Sequence, residues 1–205
     1  MISESIISNY LQTKAAELAD RGNIQEKYIG LYAKAMEIGL AIAVNLVTAL
    51  LLGYLWDMWW HCVVFLAAFV PLRSYAGGYH AKGYVNCYLG SCIFLSAILF
   101  FLKHFILEGR MLTWIWQLFL VSVAVVALWA PLADENKPIS DKEAVVFRHR
   151  SRIVLFMEVV LTGVFTWFKI DYRYAIMAAV TVSAMALVLH KIREYLESSE
   201  KQVVD

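Results

Sequence analysis

The stretch Met36–Trp56, MEIGLAIAVNLVTALLLGYLW, decides the class of this chain. Its only charge is Glu37, beside the entry, and its only amide is Asn45. A bilayer core of ~30 Å needs about 20 mostly apolar helical residues at 1.5 Å per residue. Met36–Trp56 therefore reads as a membrane-crossing helix. Just beyond it, Asp57-Met58 leaves room only for a tight turn before apolar sequence resumes. The first two segments are expected to form an antiparallel hairpin.

The same signal recurs outward along the chain. Apolar segments lie at 36–56, 58–72, 88–102, 114–132, 153–168 and 174–189. Several are shorter than a straight crossing needs; polar helix ends, local thinning of the bilayer or packing within the bundle compensate. The second is short enough to be re-entrant. Composition agrees with a membrane protein: 61% of the 205 residues are hydrophobic, 17% are charged and mean hydropathy is +0.62, against roughly 25% charged in soluble domains. The expected fold is all-α, a polytopic integral membrane protein of about six transmembrane helices in a single membrane domain over 1–205. No internal repeat is visible. The first twenty residues carry Glu4, Glu17 and Asp20 and no continuous apolar core, so they do not read as a secretory signal.

Residues 1–35 form an amphipathic N-terminal region. Ile2, Ile6, Ile7, Tyr10, Leu11, Ala15 and Leu18 recur at helical spacing, with Ser3, Glu4, Ser8, Gln12, Thr13 and Glu17 opposite, up to an interruption at Gly22-Asn23. Such a helix suits the membrane surface, and equally suits packing on the bundle or on a second copy of the chain.

Charge sets the orientation. With six spans, 14 of the 18 Lys and Arg residues fall on the side shared by both termini and the second and fourth loops, and 4 on the other. The positive-inside rule then puts both termini in the cytoplasm. A re-entrant second segment would break this alternation, so the bias supports six crossings. The densest cationic stretch is the region 133–152, with Lys137, Lys142, Arg148, Arg150 and Arg152 among Asp134, Glu135, Asp141 and Glu143. It reads as a basic cytoplasmic loop.

The segment RSYAGGYHAKGYVNCYLGS, Arg73–Ser91, is the most reactive on that side. A thiol and an imidazole are the parts of a cysteine nucleophile and its general base. His80 and Cys87 would be ~10.5 Å apart along a continuous helix, beyond hydrogen-bond reach. To cooperate they need a bend or separate elements, which Gly77, Gly78 and Gly83 permit. By themselves, one histidine and one cysteine at this spacing more often serve packing. Six spans with scattered polar residues would also suit a small exporter or a membrane scaffold. Those readings tolerate serine at Cys87; a peptidase does not.

The surrounding pattern is more specific. Arg73-x-x-x-Gly77-Gly78-x-His80-x₆-Cys87-x₃-Ser91 closely resembles the signature of the accessory gene regulator protein B (AgrB) family. Pro131, Asn136, Lys137 and Pro138 in APLADENKPIS match its Pro…Asn-Lys-Pro segment. The resemblance covers nearly the whole chain. It implies a multi-pass cell-membrane cysteine endopeptidase of a Gram-positive bacterium. Such an enzyme processes an AgrD-like propeptide into a cyclic autoinducing peptide for quorum sensing, with a homodimer as its plausible assembly. The family's catalytic histidine and cysteine fall on His80 and Cys87, making 73–87 the catalytic segment. Its important arginine and glycine fall on Arg73 and Gly78. Gly77, Ser91 and Lys137 belong to the matched patterns as substrate-binding or supporting residues. Gly78 is expected to permit a backbone turn, and Lys137 to meet the acidic C-terminal region that such propeptides carry.

Other reactive-looking residues read as structural. Cys62 and Cys92 suit packing. His61, His104, His149 and His190 lie near span ends without a ligand cluster, so no metal or other cofactor is expected. The expected partners are the propeptide, the lipid bilayer and a second copy, and no nucleic acid. Glu158, inside the fifth segment, should face the bundle or water and be paired there.

Overall fold

The computed structural model describes residues 2–22, 25–77, 84–106, 112–132 and 141–204. Among them the chain is all-α, with α1 (Ile2–Asp20), α2 (Ile29–Leu55), α3 (Trp59–Ala76), α4 (Tyr84–Phe101), α5 (Leu112–Trp129), α6 (Asp141–Trp167) and α7 (Arg173–Val204). A 3-10 turn, Glu26–Tyr28, precedes α2, and a π-helical turn, Leu102–Ile106, extends α4. Each apolar segment read from the sequence falls on one helix. Two helices extend well beyond those segments. α6 starts at Asp141, so Arg148, Arg150 and Arg152 lie on a helix and not in the expected loop. α7 continues through the charged residues after Leu189. Polar residues such as Glu, Lys and Arg propagate a helix well; a search for apolar runs stops too early there.

Among the described residues, three helices are long and apolar enough to cross a membrane, Glu26–Leu55, Tyr88–Phe105 and Arg173–Leu196, with Thr113–Trp129 a shorter apolar helix. α3 proves longer than its apolar segment and reaches about 27 Å at 1.5 Å per residue.

The chain divides into two compact units, Met1–Ala49 and Leu50–Asp205. In the first, α1 is amphipathic in its described half: Leu11 and Ala15 are buried while Gln12 and Thr13 are exposed. Tyr10, expected on the apolar side, is exposed. α2 displays Ile38, Ile42, Val44, Leu46 and Val47 outward. The Asn45 amide donates to the Ala41 carbonyl at 2.8 Å, which satisfies a polar group inside an apolar run.

In the second unit α7 is the central helix. It packs against α3, α5 and α6, and α6 also packs on α3 and α5. Ala175, Ala179, Ser183 and Leu187 are completely buried at four-residue spacing. Small residues in such a stripe let neighbouring backbones approach, the usual device of membrane helix packing. α5 contributes the stripe Ile115, Phe119, Ser122 and Val126; α3 contributes Cys62, Phe65, Leu72 and Ala76. The expected packing role of Cys62 follows from its fit: a side chain at Gly53 would lie 2.6 Å from the Cys62 Cβ.

The turn at Trp56-Asp57 closes with Asp57 at φ 57° and the Met58 N–H donating to the Gly53 carbonyl at 2.8 Å. Lys103 caps this end, donating to the Trp56 carbonyl at 2.9 Å with Asp57 3.9 Å away. A cation at a helix C-terminus satisfies orphan carbonyls and complements the dipole.

Candidate active site

The site is built on the end of α3. Beyond Ala76 the chain turns at Gly77, whose φ of 69° and ψ of −148° belong to a region open essentially to glycine alone. The Gly77 N–H still donates to the Arg73 carbonyl at 3.2 Å. Here α3 stops, and α4 begins at Tyr84. The backbone between His80 and Tyr84, on which the expected bend falls, lies outside the described residues. The residue that makes the turn is Gly77; Gly78 and Gly83 lie outside the described residues.

What the sequence did not reveal is the partner of this turn. Gly77 forms an isolated parallel bridge with Leu132, and the Leu132 N–H donates to the Ala76 carbonyl at 3.0 Å. The contact is so close that a Cβ at Gly77 would collide with the Leu132 carbonyl oxygen. Leu132 reaches this position because α5 ends at Trp129 and Pro131 cannot continue a helix. The segment containing His80 and the segment containing Asn136, Lys137 and Pro138 thus start side by side, from one backbone junction. The doubled glycine and the proline were visible in the sequence; their pairing across so much chain was not.

α6 packs beside the same end of α3. The Tyr75 ring meets the Phe147 ring edge-on at 5.9 Å, and the Arg150 guanidinium lies 5.6 Å from the Tyr75 ring centre. Arg152 donates to the Ala127 carbonyl near the end of α5 at 3.5 Å. Part of the cationic region is thereby fixed to the junction by aromatic and backbone contacts.

The other site residues are distributed as follows. Arg73 is half-buried in the last turn of α3. The Cys87 backbone lies in the first turn of α4, and Ser91, one turn further on, is exposed. The side chains at 84–87, all of His80, and Asp134, Glu135, Asn136, Lys137 and Pro138 lie outside the described residues.

Comparison with known proteins matches the chain to one family. The model of the family Accessory gene regulator B covers residues 5–189. The chain belongs to the AgrB family. Among its relatives are the Accessory gene regulator protein B of Staphylococcus aureus strain MRSA252, 25% identical, and that of strain MW2, 24% identical. Each alignment covers 87% of this chain and 95% of the relative. No solved structure matches the chain. Both of the stretches that resemble AgrB motifs in the sequence adjoin the Gly77–Leu132 junction.

Proposed function

We propose that the chain is a membrane cysteine endopeptidase of an accessory gene regulator quorum-sensing system, acting on an AgrD-like propeptide. The observation that carries this reading is the Gly77–Leu132 junction: in a member of the AgrB family it joins the His80 segment to the Lys137 segment. In this reading six helices, α2 to α7, cross the cell membrane, with both termini and the junction at the cytoplasmic face, as the distribution of Lys and Arg favours. A membrane-bound propeptide would meet the site there.

The chemistry follows from the two side chains. His80 takes the thiol proton of Cys87, and the thiolate attacks the carbonyl carbon of the scissile peptide bond. The first turn of α4 suits this, because the positive end of a helix dipole favours an anion. The C–N bond breaks, the imidazolium returns its proton to the leaving amine, and the C-terminal fragment departs. The rest of the propeptide stays on Cys87 as a thioester. The thiolate of an internal propeptide cysteine next attacks that carbonyl, the enzyme C–S bond breaks, and a thiolactone closes while Cys87 regains a proton. An internal serine would give a lactone. Exchange between thioesters is nearly level in energy, whereas amide to thioester is uphill, so release of the acidic fragment must draw the reaction forward. Lys137 and the cations of α6 are placed in this scheme to receive that fragment. Arg73 holds a substrate carbonyl or carboxylate, or orders the turn. The scheme needs no cofactor. Exclusion of water protects the acyl-enzyme from hydrolysis, and a homodimer would help to enclose it.

Mass spectrometry of products tests the reading. The purified chain and its propeptide should yield cyclic peptide and free C-terminal fragment. Replacing the propeptide's internal ring-forming cysteine with alanine should leave a covalent adduct on Cys87. Absence of cleavage, or cleavage that persists in Cys87→Ala, would defeat it.

A further inference from the structure

Six of the seven tryptophans lie at one end of the second unit. Trp56, Trp59 and Trp60 flank the turn between α2 and α3, Trp114 and Trp116 begin α5, and Trp167 ends α6. Three contacts bring these places together. The bond from Lys103 to the Trp56 carbonyl ties the π-helical turn to the α2–α3 turn. The His61 and Tyr172 rings meet edge-on at 4.9 Å, which sets the α6–α7 turn beside the start of α3. The Gly77–Leu132 bridge joins the far ends of α3 and α5. Both helices pack along α7 and both have 18 residues, so they also start at one level. Their length of about 27 Å is close to the ~30 Å of bilayer hydrocarbon.

The rings are turned outward: Trp167 is 84% exposed, Trp114 71% and Trp60 62%. An indole joins a large apolar body to one N–H that needs an acceptor. Acyl chains leave the N–H unmet and water leaves the ring unmet, whereas the layer of lipid ester carbonyls meets both. Charge points to the same layer. Lys103 is held by the Trp56 carbonyl and Asp57, and Arg173 by the Ile170 carbonyl, the Tyr174 hydroxyl and Asp171. Among the described residues, Lys169 is the one cation of this end not so engaged. This end therefore offers ring surface more than charge. The Gly77–Leu132 end is the reverse, with Arg148, Arg150 and Arg152 and a single tryptophan, Trp129.

We propose that the tryptophan-rich end is an aromatic anchor seated in the ester-carbonyl layer of the leaflet opposite the junction, and that it fixes the depth of the bundle from that side. The partner is the glycerol ester region common to neutral and anionic phospholipids, so seating is independent of lipid charge. The anchor stands whether or not the chain is a peptidase.

The test reads the intrinsic tryptophan fluorescence of the full chain in phosphatidylcholine vesicles, where six of the seven rings report this end. Bromine carried high on the acyl chain should quench about twofold more than bromine near the chain end. Equal quenching, or stronger quenching from the deep position, overturns the proposal. Added phosphatidylglycerol should leave the ratio unchanged; a ratio that depends on anionic lipid overturns it. As the acyl chains are lengthened, the emission maximum should hold steady, because the anchored rings follow the interface. In the triple variant Trp60→Leu, Trp114→Leu, Trp167→Leu, emission of the remaining rings should shift with bilayer thickness. A variant as steady as the unmodified chain overturns the proposal. Melting in detergent should be alike for both chains, since the three rings are exposed. If the variant does not fold, the unmodified chain decides: steady emission supports the anchor, and drift with thickness overturns it.

Discussion

α7 and α4 are both apolar helices of bilayer length, yet they are used in opposite ways. Of the membrane-length part of α7, 56% is buried inside the protein; of α4, 17%. α7 packs on three other long helices through a stripe of small residues. α4 buries Leu95 and Leu99, continued by Leu102 in the π-helical turn, and exposes Leu89, Gly90, Ser91, Ile93 and Phe94 nearer to Cys87. The difference separates stability from chemistry. The helix that holds the bundle together carries no proposed catalytic group. The helix that starts with the proposed nucleophile keeps an open flank, which lipid, substrate or a second copy can cover.

The comparison is broken if substitutions in α4 and α7 act alike. The largest effect is expected for Cys87→Ala: propeptide cleavage should fall at least about a thousandfold, with the melting temperature unchanged. Next comes Gly77→Ala. The backbone there costs a residue with a side chain roughly 1–3 kcal/mol, and the added methyl displaces the Leu132 carbonyl. Cleavage should drop about tenfold or more. Gly90→Ala, where a methyl meets nothing within 4 Å, should leave it intact. Equal activity of the two variants would remove the junction from the site. The third effect is on folding. Ala179→Leu overfills the α7 stripe and should destabilise the chain by about 1–3 kcal/mol, whereas Ala97→Leu on the exposed side of α4 should change little. Chemical denaturation in mixed micelles reads both. Arg150→Ala should show the smallest change, about 0.5–1 kcal/mol for the lost contact with Tyr75.

Increasing salt should also weaken propeptide binding if exposed cations receive its acidic end, because surface charges are screened over about 8–10 Å at 0.1–0.15 M. Titration of binding against ionic strength measures this, and a flat response would assign those cations to orientation in the membrane alone.

The sequence disclosed the fold wherever one property dominated a long window. Runs such as Met36–Trp56 mark helices because length and apolarity are local. Asp141–Arg152 was misread as loop because its helix carries charge, and water-facing helical turns have no apolar run to detect. The break at Gly77 was legible as an allowed bend, since glycine is a local signal. That Leu132 presses against it was not, because side-chain pattern along one segment says nothing about which distant backbone will arrive there. Glu158 shows the same limit. Its position inside an apolar run foretold a buried, paired group; it is buried, but among the described residues neither of its carboxylate oxygens has a hydrogen-bond partner.

The Gly77–Leu132 junction also has a consequence for how the protein is made. One of its halves follows the end of α3, the other lies three residues after α5. During synthesis the first half waits until the ribosome has supplied α4 and α5 as well. A nascent chain halted before Leu132 would possess His80 and Cys87 but lack the strut between their segment and the next. On the proposed reading, the cell thereby withholds a membrane-embedded nucleophile from use until most of its enclosure has been inserted.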